Sequence, residues 1–219
     1  MVRKKRFAML PARNPCLPPM IDKPYAPACE RNREPILDLL RPHFASRQQV
    51  LEIGSGTGQH AVHFAAALPH LRWQCADRAP YLPGIRQWLA EAAPACSPAP
   101  LMLDVNGPWP AARFDAVFSA NTLHIMSMTE VETLFGHLPD VMADDATVVI
   151  YGPFRYRGEH TSASNAAFDE SLRARDPASG IRDFEWVDRL ASAIGLRLIE
   201  DRAMPANNRG LVWQRAGGR

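Results

Sequence analysis

The chain alternates between short apolar runs and longer segments in which apolar residues recur at helical spacing. The short runs predict seven strands, at Gln49–Ile53 and at residues 71–76, 101–105, 114–120, 146–151, 196–200 and 211–214. The helical spacing predicts six helices, at residues 33–44, 59–68, 84–93, 130–142, 164–174 and 184–194. Strands that alternate with helices indicate an α/β, Rossmann-like fold with a mostly parallel sheet and helices on both faces. The last two strands are joined by a short loop, so the final strand should be antiparallel.

A glycine-rich loop follows the first predicted strand, where residues 50–58 read VLEIGSGTG. Glycine permits a positive backbone φ and a close approach of a ligand, and it occupies three alternate positions, Gly54, Gly56 and Gly58. The dinucleotide fingerprint G-x-G-x-x-G would need a third glycine where this chain has Gln59. With Glu52 the loop reads acidic-x-G-x-G-x-G, which resembles motif I of the class I S-adenosylmethionine-dependent methyltransferases. The alternative is a glycine turn beside a surface glutamate.

Carboxylates end the next two predicted strands. Asp77 ends the second strand, where such a residue binds ribose hydroxyls, so it indicates an adenosine group but does not distinguish one cofactor from another. Asp104 and Val105 end the third strand. The resemblance implies that an acidic side chain there accepts a hydrogen bond from the adenine amino group and that a neighbouring backbone N–H contacts the ring. The alternative for Asp104 is a cap or turn residue.

The fourth and fifth strands should end beside the reacting methyl group, because ligands of open α/β sheets bind beyond the carboxyl ends of the strands. The fourth strand is followed by Asn121, a candidate cofactor contact, and by His124. His124 is a candidate proton acceptor or orienting group, with a structural histidine as the alternative. Tyr151 ends the fifth strand and is a second candidate catalytic residue. The tetrad of amino-methyltransferases and the Pro-Cys pair of cytosine-C5 enzymes are absent from these strand ends.

Composition narrows the class of protein further. The formal net charge is +2 and the arginines are scattered, which does not favour nucleic-acid binding. Lysine does not occur after Lys23, so a lysine base or Schiff base in the folded body is excluded. The four cysteines form no metal-binding pattern and suggest free thiols in a cytoplasmic protein, with no metal and no membrane segment expected. Of the 20 prolines, eight lie at or before residue 42, and we expect residues 1–22 to form an extension before a single domain at 23–219.

Seven strings resemble the methyltransferase-like protein 26 family over about residues 23 to 215. They are residues 25–37 (YAPACERNREPIL), 50–63 (VLEIGSGTGQHAVH), 116–126 (AVFSANTLHIM), 151–154 (YGPF), 161–169 (TSASNAAFD), 175–183 (RDPASGIRD) and 204–213 (MPANNRGLVW). The resemblance implies a class I methyltransferase fold and the use of S-adenosylmethionine, without a common substrate. Arg31 is a candidate for the methionine carboxylate of that cofactor, with a surface salt bridge as the alternative.

These features predict a methyltransferase that transfers a methyl group to an O, N or S atom of a small molecule by in-line displacement. Such a reaction needs alignment of nucleophile, methyl and sulfur more than it needs a fixed catalytic triad. The acceptor and the oligomeric state are not predicted. A non-catalytic cofactor-binding scaffold, a protein-modifying methyltransferase and, less favoured, a nicotinamide-dependent oxidoreductase remain as alternatives. The segment 25–32 is a hypothetical lid over the cofactor.

Overall fold

The computed structural model of the protein describes residues 23–92 and 97–215, so the predicted extension at residues 1–22 lies outside the described residues. The strands are β1 Gln49–Ile53, β2 Arg72–Asp77, β3 Leu101–Met102, β4 Phe114–Ala120, β5 Met142–Gly152, β6 Phe154–Tyr156, β7 Glu159–His160, β8 Arg182–Asp183, β9 Leu196–Met204 and β10 Asn208–Arg215. The helices are α1 Pro27–Phe44, α2 Gln59–Ala67, α3 Leu82–Ala92, α4 Met128–Val141, α5 Ala163–Arg175 and α6 Phe184–Ala193.

Seven strands form one sheet in the order β3-β2-β1-β4-β5-β10-β9. The first five of these are parallel to their neighbours, and β10 is antiparallel to both β5 and β9. The predicted α/β fold, with a mostly parallel sheet and an antiparallel last strand, is confirmed. The strand order reverses between β1 and β4, which is the kind of switch point where α/β proteins bind ligands.

The sheet is buried on both faces, as parallel strands require. Along β1, Leu51 and Ile53 belong to the core beneath α4 and α6, whereas Val50 belongs to the core beneath α1 and α2. Trp73 and Trp213 are fully buried, one in each core. This two-sided burial holds the strand ends rigidly at one edge, where the glycine loop lies.

Several predicted boundaries are wrong. Helix α1 begins at Pro27 rather than at residue 33, and it continues through Pro35 and Pro42. Its apolar face is buried against the sheet, and this packing outweighs the local cost of the two prolines. The first residue of β5, Met142, was expected in the preceding helix. The predicted third strand pairs only over Leu101–Met102, so residues 104 and 105 lie beyond its end.

A second sheet of three short strands, in the order β7-β6-β8, was not predicted. Its strands are two or three residues long, too short to show an alternation of apolar and polar positions. Its strand β6 follows β5 directly in the chain, and the small sheet packs with α6. The small sheet therefore lies near the carboxyl end of β5.

Candidate functional site

The glycine loop has the backbone geometry that its sequence predicts. The three glycines have positive φ values of 75°, 59° and 91° at Gly54, Gly56 and Gly58. A side chain at Gly54 would lie 2.5 Å from Thr122 Oγ1, whereas a side chain at Gly56 would meet nothing within 4 Å. At Gly54 the loop therefore packs closely against the segment after β4, whereas at Gly56 it faces open space.

Asp77 lies beside this open position. Its Oδ2 accepts a hydrogen bond from the Gly56 backbone N–H at 2.7 Å, and its Oδ1 accepts one from the Arg78 N–H at 2.7 Å. Burial raises the pKa of the Asp77 carboxyl, while the Gly56 and Arg78 bonds oppose the rise. A carboxylate held in this way has further acceptor positions for the hydroxyls of a ribose.

A cleft of about 370 Å³ opens beyond the ends of β2 and β3. It is lined by Arg78, Ala79, Pro80, Tyr81, Met102 and Asp104. Met102 is 62% exposed and Tyr81 is 44% exposed, so two large apolar side chains face solvent here. An uncovered apolar cleft with polar groups at its edge suits a flat heterocycle.

The two residues predicted to contact adenine have different positions. Asp104 is exposed and lines the cleft, and its Oδ1 also accepts from the Asn106 N–H at 3.0 Å, which closes a turn. Both interpretations of Asp104 are therefore compatible with its contacts. Val105 is 6% exposed and its side chain belongs to the core beneath α4 and α6, so only its backbone is placed to meet a ligand.

Glu52 lies away from the open part of the loop. Its side chain is 2% exposed, on the face of the sheet covered by α1 and α2, and its Oε2 accepts from Trp73 Nε1 at 3.0 Å. Burial raises the pKa of Glu52 to about 7, against the lowering effect of the Trp73 hydrogen bond, and the Asp77 charge adds a smaller rise. The carboxyl contacts the protein itself and supports the loop from below.

The segment after β4 covers the glycine loop. Asn121 has a left-handed backbone with φ 57°, and its N–H donates to the Tyr151 carbonyl at 2.8 Å. This strained conformation turns the chain so that Thr122 packs over Gly54. Asn121 and the glycine loop are thus neighbours through Thr122, a contact that the sequence analysis did not identify.

His124 is buried rather than presented at an open surface. It is 6% exposed, and its ring packs edge-on against Phe168 at a centroid distance of 5.3 Å. Burial, with smaller effects of Arg182 and Arg175, lowers the pKa of His124 to about 4. The ring is therefore neutral at pH 7, which leaves one nitrogen able to accept a proton.

Tyr151 ends a chain of buried polar groups beneath α1. Its hydroxyl accepts from Asn208 Nδ2 at 3.0 Å and is also hydrogen-bonded to the Asn32 side chain. Asn32 Oδ1 in turn lies 2.7 Å from Nε2 of His60. Because the phenol oxygen accepts from both asparagines, its O–H remains free to donate. Burial raises the pKa of Tyr151, so the hydroxyl is a donor rather than a base at neutral pH.

The start of α1 is docked on the glycine loop. Gln59 Oε1 accepts from the Ala26 N–H at 2.6 Å, and Gln59 Nε2 donates to Glu30 at 3.1 Å. Arg31 is exposed, and no described residue forms an ion pair with it. The residue at the third fingerprint position thus binds the start of α1, where Arg31 has an exposed side chain.

The predicted residues fall into two groups. Asp77 is bonded to Gly56, Asp104 lines the cleft that begins at the next residue, Arg78, and Asn121 adjoins the glycine loop through Thr122. Glu52, His124 and Tyr151 are instead buried below the surface. Thr122, His60 and Asn208 were not predicted, yet they contact Gly54, Asn32 and Tyr151 respectively. Only the family strings contained a signal for them, because their spacing along the chain has no periodicity.

Metal-binding clusters and membrane-spanning helices are both absent from the described residues. No three His, Cys, Asp or Glu side chains are close enough together to hold a metal ion there. No helix in that part of the chain is both long and apolar enough to cross a membrane.

Several solved structures with similar folds are methyltransferases by name. An O-methyltransferase family protein from Burkholderia thailandensis superimposes with a TM-score of 0.77 at 17% identity, over 88% of this chain and 58% of that chain. The S-adenosylmethionine-dependent methyltransferase SibL gives 0.71 at 23% identity, over 86% and 55%, and the mitomycin 7-O-methyltransferase MmcR gives 0.70 at 20%, over 79% and 50%. The chain spans only 50% to 58% of the length of these proteins. The predicted methyltransferase fold is confirmed at this level.

The sequence itself matches a family over most of its length. Residues 23–215 fit the family described as "Protein of unknown function (DUF938)". This range begins where the described structure begins and contains both cores, the glycine loop and every predicted site residue. The chain therefore belongs to the DUF938 family and has the class I methyltransferase fold.

Proposed function

We propose that this protein is an S-adenosylmethionine-dependent methyltransferase that acts on a small molecule. The observation that carries the proposal is the open space above Gly56, next to the Asp77 carboxylate and the cleft beyond β2 and β3. A side chain at Gly56 would fill this space, so the loop is shaped for a ligand that comes close to the backbone.

The residues at this edge fit the parts of that cofactor. Asp77 would hold the ribose hydroxyls, Tyr81, Met102 and Asp104 would surround the adenine, and Arg31 would bind the methionine carboxylate. The loop does not resemble a pyrophosphate site, because Gln59 takes the third glycine position and its side chain is engaged with Ala26 and Glu30. This supports the sulfonium cofactor over a nicotinamide dinucleotide.

S-adenosylmethionine, when bound, supplies an electrophilic methyl group and a neutral thioether leaving group. The protein's part is to align an acceptor, and the buried polar chain that ends at Tyr151 suits this role. Asn32 and Asn208 hold the Tyr151 oxygen in place and leave its O–H as a donor toward the acceptor. His124 remains our candidate orienting group, because burial lowers its pKa to about 4 and so makes it a weak proton acceptor at neutral pH.

The narrower family, the acceptor atom and the domain bounds are proposed from the sequence and the similar structures together. The family strings support a place near the methyltransferase-like protein 26 family, and similar folds include enzymes whose names specify small-molecule O-methylation. An O, N or S acceptor is therefore proposed, in a single domain at residues 23–219 with no metal. Cys29 and Cys75 are free thiols, which agrees with the proposed cytoplasmic location.

Calorimetry with S-adenosylmethionine, S-adenosylhomocysteine and NAD tests the cofactor. We expect saturable binding of the first two and none of NAD. NAD binding without sulfonium binding would overturn the proposal. A screen of small-molecule extracts with methyl-labelled cofactor then tests turnover, and labelled protein in place of a labelled metabolite would indicate a protein-modifying enzyme. Confirmed cofactor binding without any labelled product would instead indicate a scaffold.

A further inference from the structure

A second cavity, of about 280 Å³, lies between the start of α4 and the segment at 177–183. Its lining shares no residue with the cleft beyond β2 and β3. Three arginine side chains line it, Arg155, Arg173 and Arg182, against the single carboxylate of Asp183. The methyl-transfer site proposed above uses none of these four residues.

Arg182 is the buried member of this group. It is 6% exposed and donates to the carbonyls of Leu123, at 3.2 Å, and of Ala178, at 2.9 Å, and also to that of Met126. These partners are neutral, so the bonds position the guanidinium without cancelling its charge. Burial lowers the pKa of Arg182, and the charges of Arg173 and Arg155 lower it further, although Asp169 and Glu130 oppose them.

Arg155 and Arg173 have donors to spare at the cavity. Arg155 Nη2 donates to Asp183 Oδ2 at 2.6 Å, while its buried Nε meets no partner among the described residues. Arg173 pairs through Nε with Asp169 Oδ2 at 3.0 Å, and its side chain is 47% exposed. A buried N–H without an acceptor is costly, and an anionic ligand would satisfy it.

The other walls favour a small organic molecule. Met128, Pro177, Ile181 and Trp186 give the cavity apolar surfaces opposite its charges. Helix α4 begins here, and its positive end adds to the field, although Glu130 offsets part of it through the capping box with Ser127. Asp183 Oδ1 is buried without a partner among the described residues and leaves one acceptor for a hydroxyl of the ligand.

We propose that this cavity binds a small organic anion, with its carboxylate or phosphate group on Arg155 and Arg173 and its apolar part against Trp186. Guanidinium groups pair with both kinds of oxyanion by two parallel N–H bonds, which is why the two chemistries are taken together. The cavity is near the lower end of the roughly 300–1,000 Å³ that small-molecule sites span, so the ligand should be smaller than a nucleotide. The proposal does not depend on methyl transfer.

Calorimetry on the full chain, without S-adenosylmethionine, tests it with benzoate and with inorganic phosphate at constant ionic strength in chloride. We expect saturable binding of at least one probe, with one site per chain. Arg155→Gln and Arg173→Gln should each weaken it by about tenfold or more, as expected for a charge-assisted hydrogen bond. Arg197→Gln removes the same charge from an exposed position on β9 and should leave the affinity within about twofold, since exposed charges are screened by salt.

Tighter binding of benzoate would identify a carboxylate ligand, and tighter binding of phosphate would identify a phosphate ester. No saturable heat with either probe, or an equal loss in Arg197→Gln, would overturn the proposal. Should Arg155→Gln fail to fold by circular dichroism, Arg173→Gln carries the test, because its side chain is half exposed. Separate titrations with S-adenosylmethionine show whether the proposed function fails independently, and we expect all three variants to bind it unchanged.

Discussion

At the residue scale, the carboxyl groups of Asp77 and Glu52 have different roles because their surroundings differ. Asp77 is partly exposed and held by two backbone N–H groups. Glu52 is buried beneath α1 and α2 and is held by the Trp73 indole. The first is available to a ligand, and the second supports the loop that the ligand would contact.

Asp77→Ala should weaken binding of S-adenosylmethionine by about 1–3 kcal/mol, the usual loss for a hydrogen-bonding partner removed from a partly buried site. The substitution removes the predicted ribose acceptor and also the acceptor of the Gly56 N–H. Calorimetry measures the change. Asp38→Ala, which removes an exposed carboxylate from α1, is the control and should bind normally. Unchanged affinity in Asp77→Ala would show that the ribose assignment is wrong.

Glu52 predicts a pH dependence of stability. Its pKa is about 7 in the folded protein against an ordinary value of 4.5, so the folded chain keeps a proton there that the unfolded chain has released. Stability is therefore lost as the pH rises from 4.5 to 7, by about 3 kcal/mol at most. Glu52→Gln keeps an oxygen for Trp73 Nε1 and carries no charge, so its free energy of unfolding should rise relative to wild type between pH 4.5 and pH 8.

Chemical denaturation at several pH values measures this difference. The contributions of titrating groups that both proteins share cancel when the free energy of unfolding of the wild type is subtracted from that of the variant. Glu132→Gln, at an exposed position of α4, is the matched control and should show no pH-dependent difference. A flat difference for Glu52→Gln would contradict a buried carboxyl with a raised pKa.

At the scale of elements, the loop between β1 and α2 separates structural glycines from an open one. Gly54 must lack a side chain because Thr122 packs against it. Gly58 must lack one because the Ile85 backbone is 3.2 Å from the place that a Cβ would take. Gly56 also has a positive φ, but no atom lies within 4 Å of the place that its Cβ would take. Pro35 and Pro42 lie within α1 and Pro139 lies within α4, inside the helices that the apolar spacing predicts and despite the local cost of proline.

The glycine loop gives a prediction that divides stability from binding. Gly56→Ala should cost about 1–2 kcal/mol of stability, the cost of a left-handed backbone, and should abolish most cofactor binding because the new methyl enters the open space. Gly54→Ala has the same cost of a left-handed backbone, and it should lose about 1–3 kcal/mol of stability in addition, because its methyl would overlap Thr122.

Thermal unfolding and cofactor calorimetry on both variants check this division. Gly136→Ala is the control, since Gly136 lies inside α4 with nothing within 4 Å of the added carbon. It should leave binding unchanged and raise stability by up to about 1 kcal/mol, as alanine is favoured in helices. Normal cofactor binding by Gly56→Ala would contradict a ligand above this residue.

At the scale of the whole molecule, the order of strands creates the site. The carboxyl ends of β1, β2, β4 and β5 lie at one edge because these strands are parallel, and the order places β1 between β2 and β4. The described residues that build the two cores lie between 36 and 213, and they hold this edge of the sheet from both faces. The second cavity lies where the small sheet and the 177–183 segment pack on the chain after β4.

Residues 23–219 alone should therefore fold and bind the cofactor. We expect the melting temperature and the affinity for S-adenosylmethionine to match those of the full chain, since residues 23–215 contain both cores and the glycine loop, and Lys23 itself contacts the Trp88 ring. Differential scanning calorimetry and cofactor titration on the two lengths measure both. A large loss of either would assign residues 1–22 to the domain.

The sequence by itself determined the sheet, its surrounding helices, the glycine turn and the carboxylates at the strand ends. These depend on local periodicity, on the backbone freedom of single glycines and on their place at the end of a strand, all of which are encoded within a few residues. Only the tertiary structure decided which polar side chains meet. Asn32, His60, Tyr151 and Asn208 are joined, and Arg155 faces Asp183, because non-local strand pairing and helix packing bring together segments far apart in the chain. The same packing buried Glu52 and His124, since burial depends on what covers a residue rather than on its neighbours in sequence.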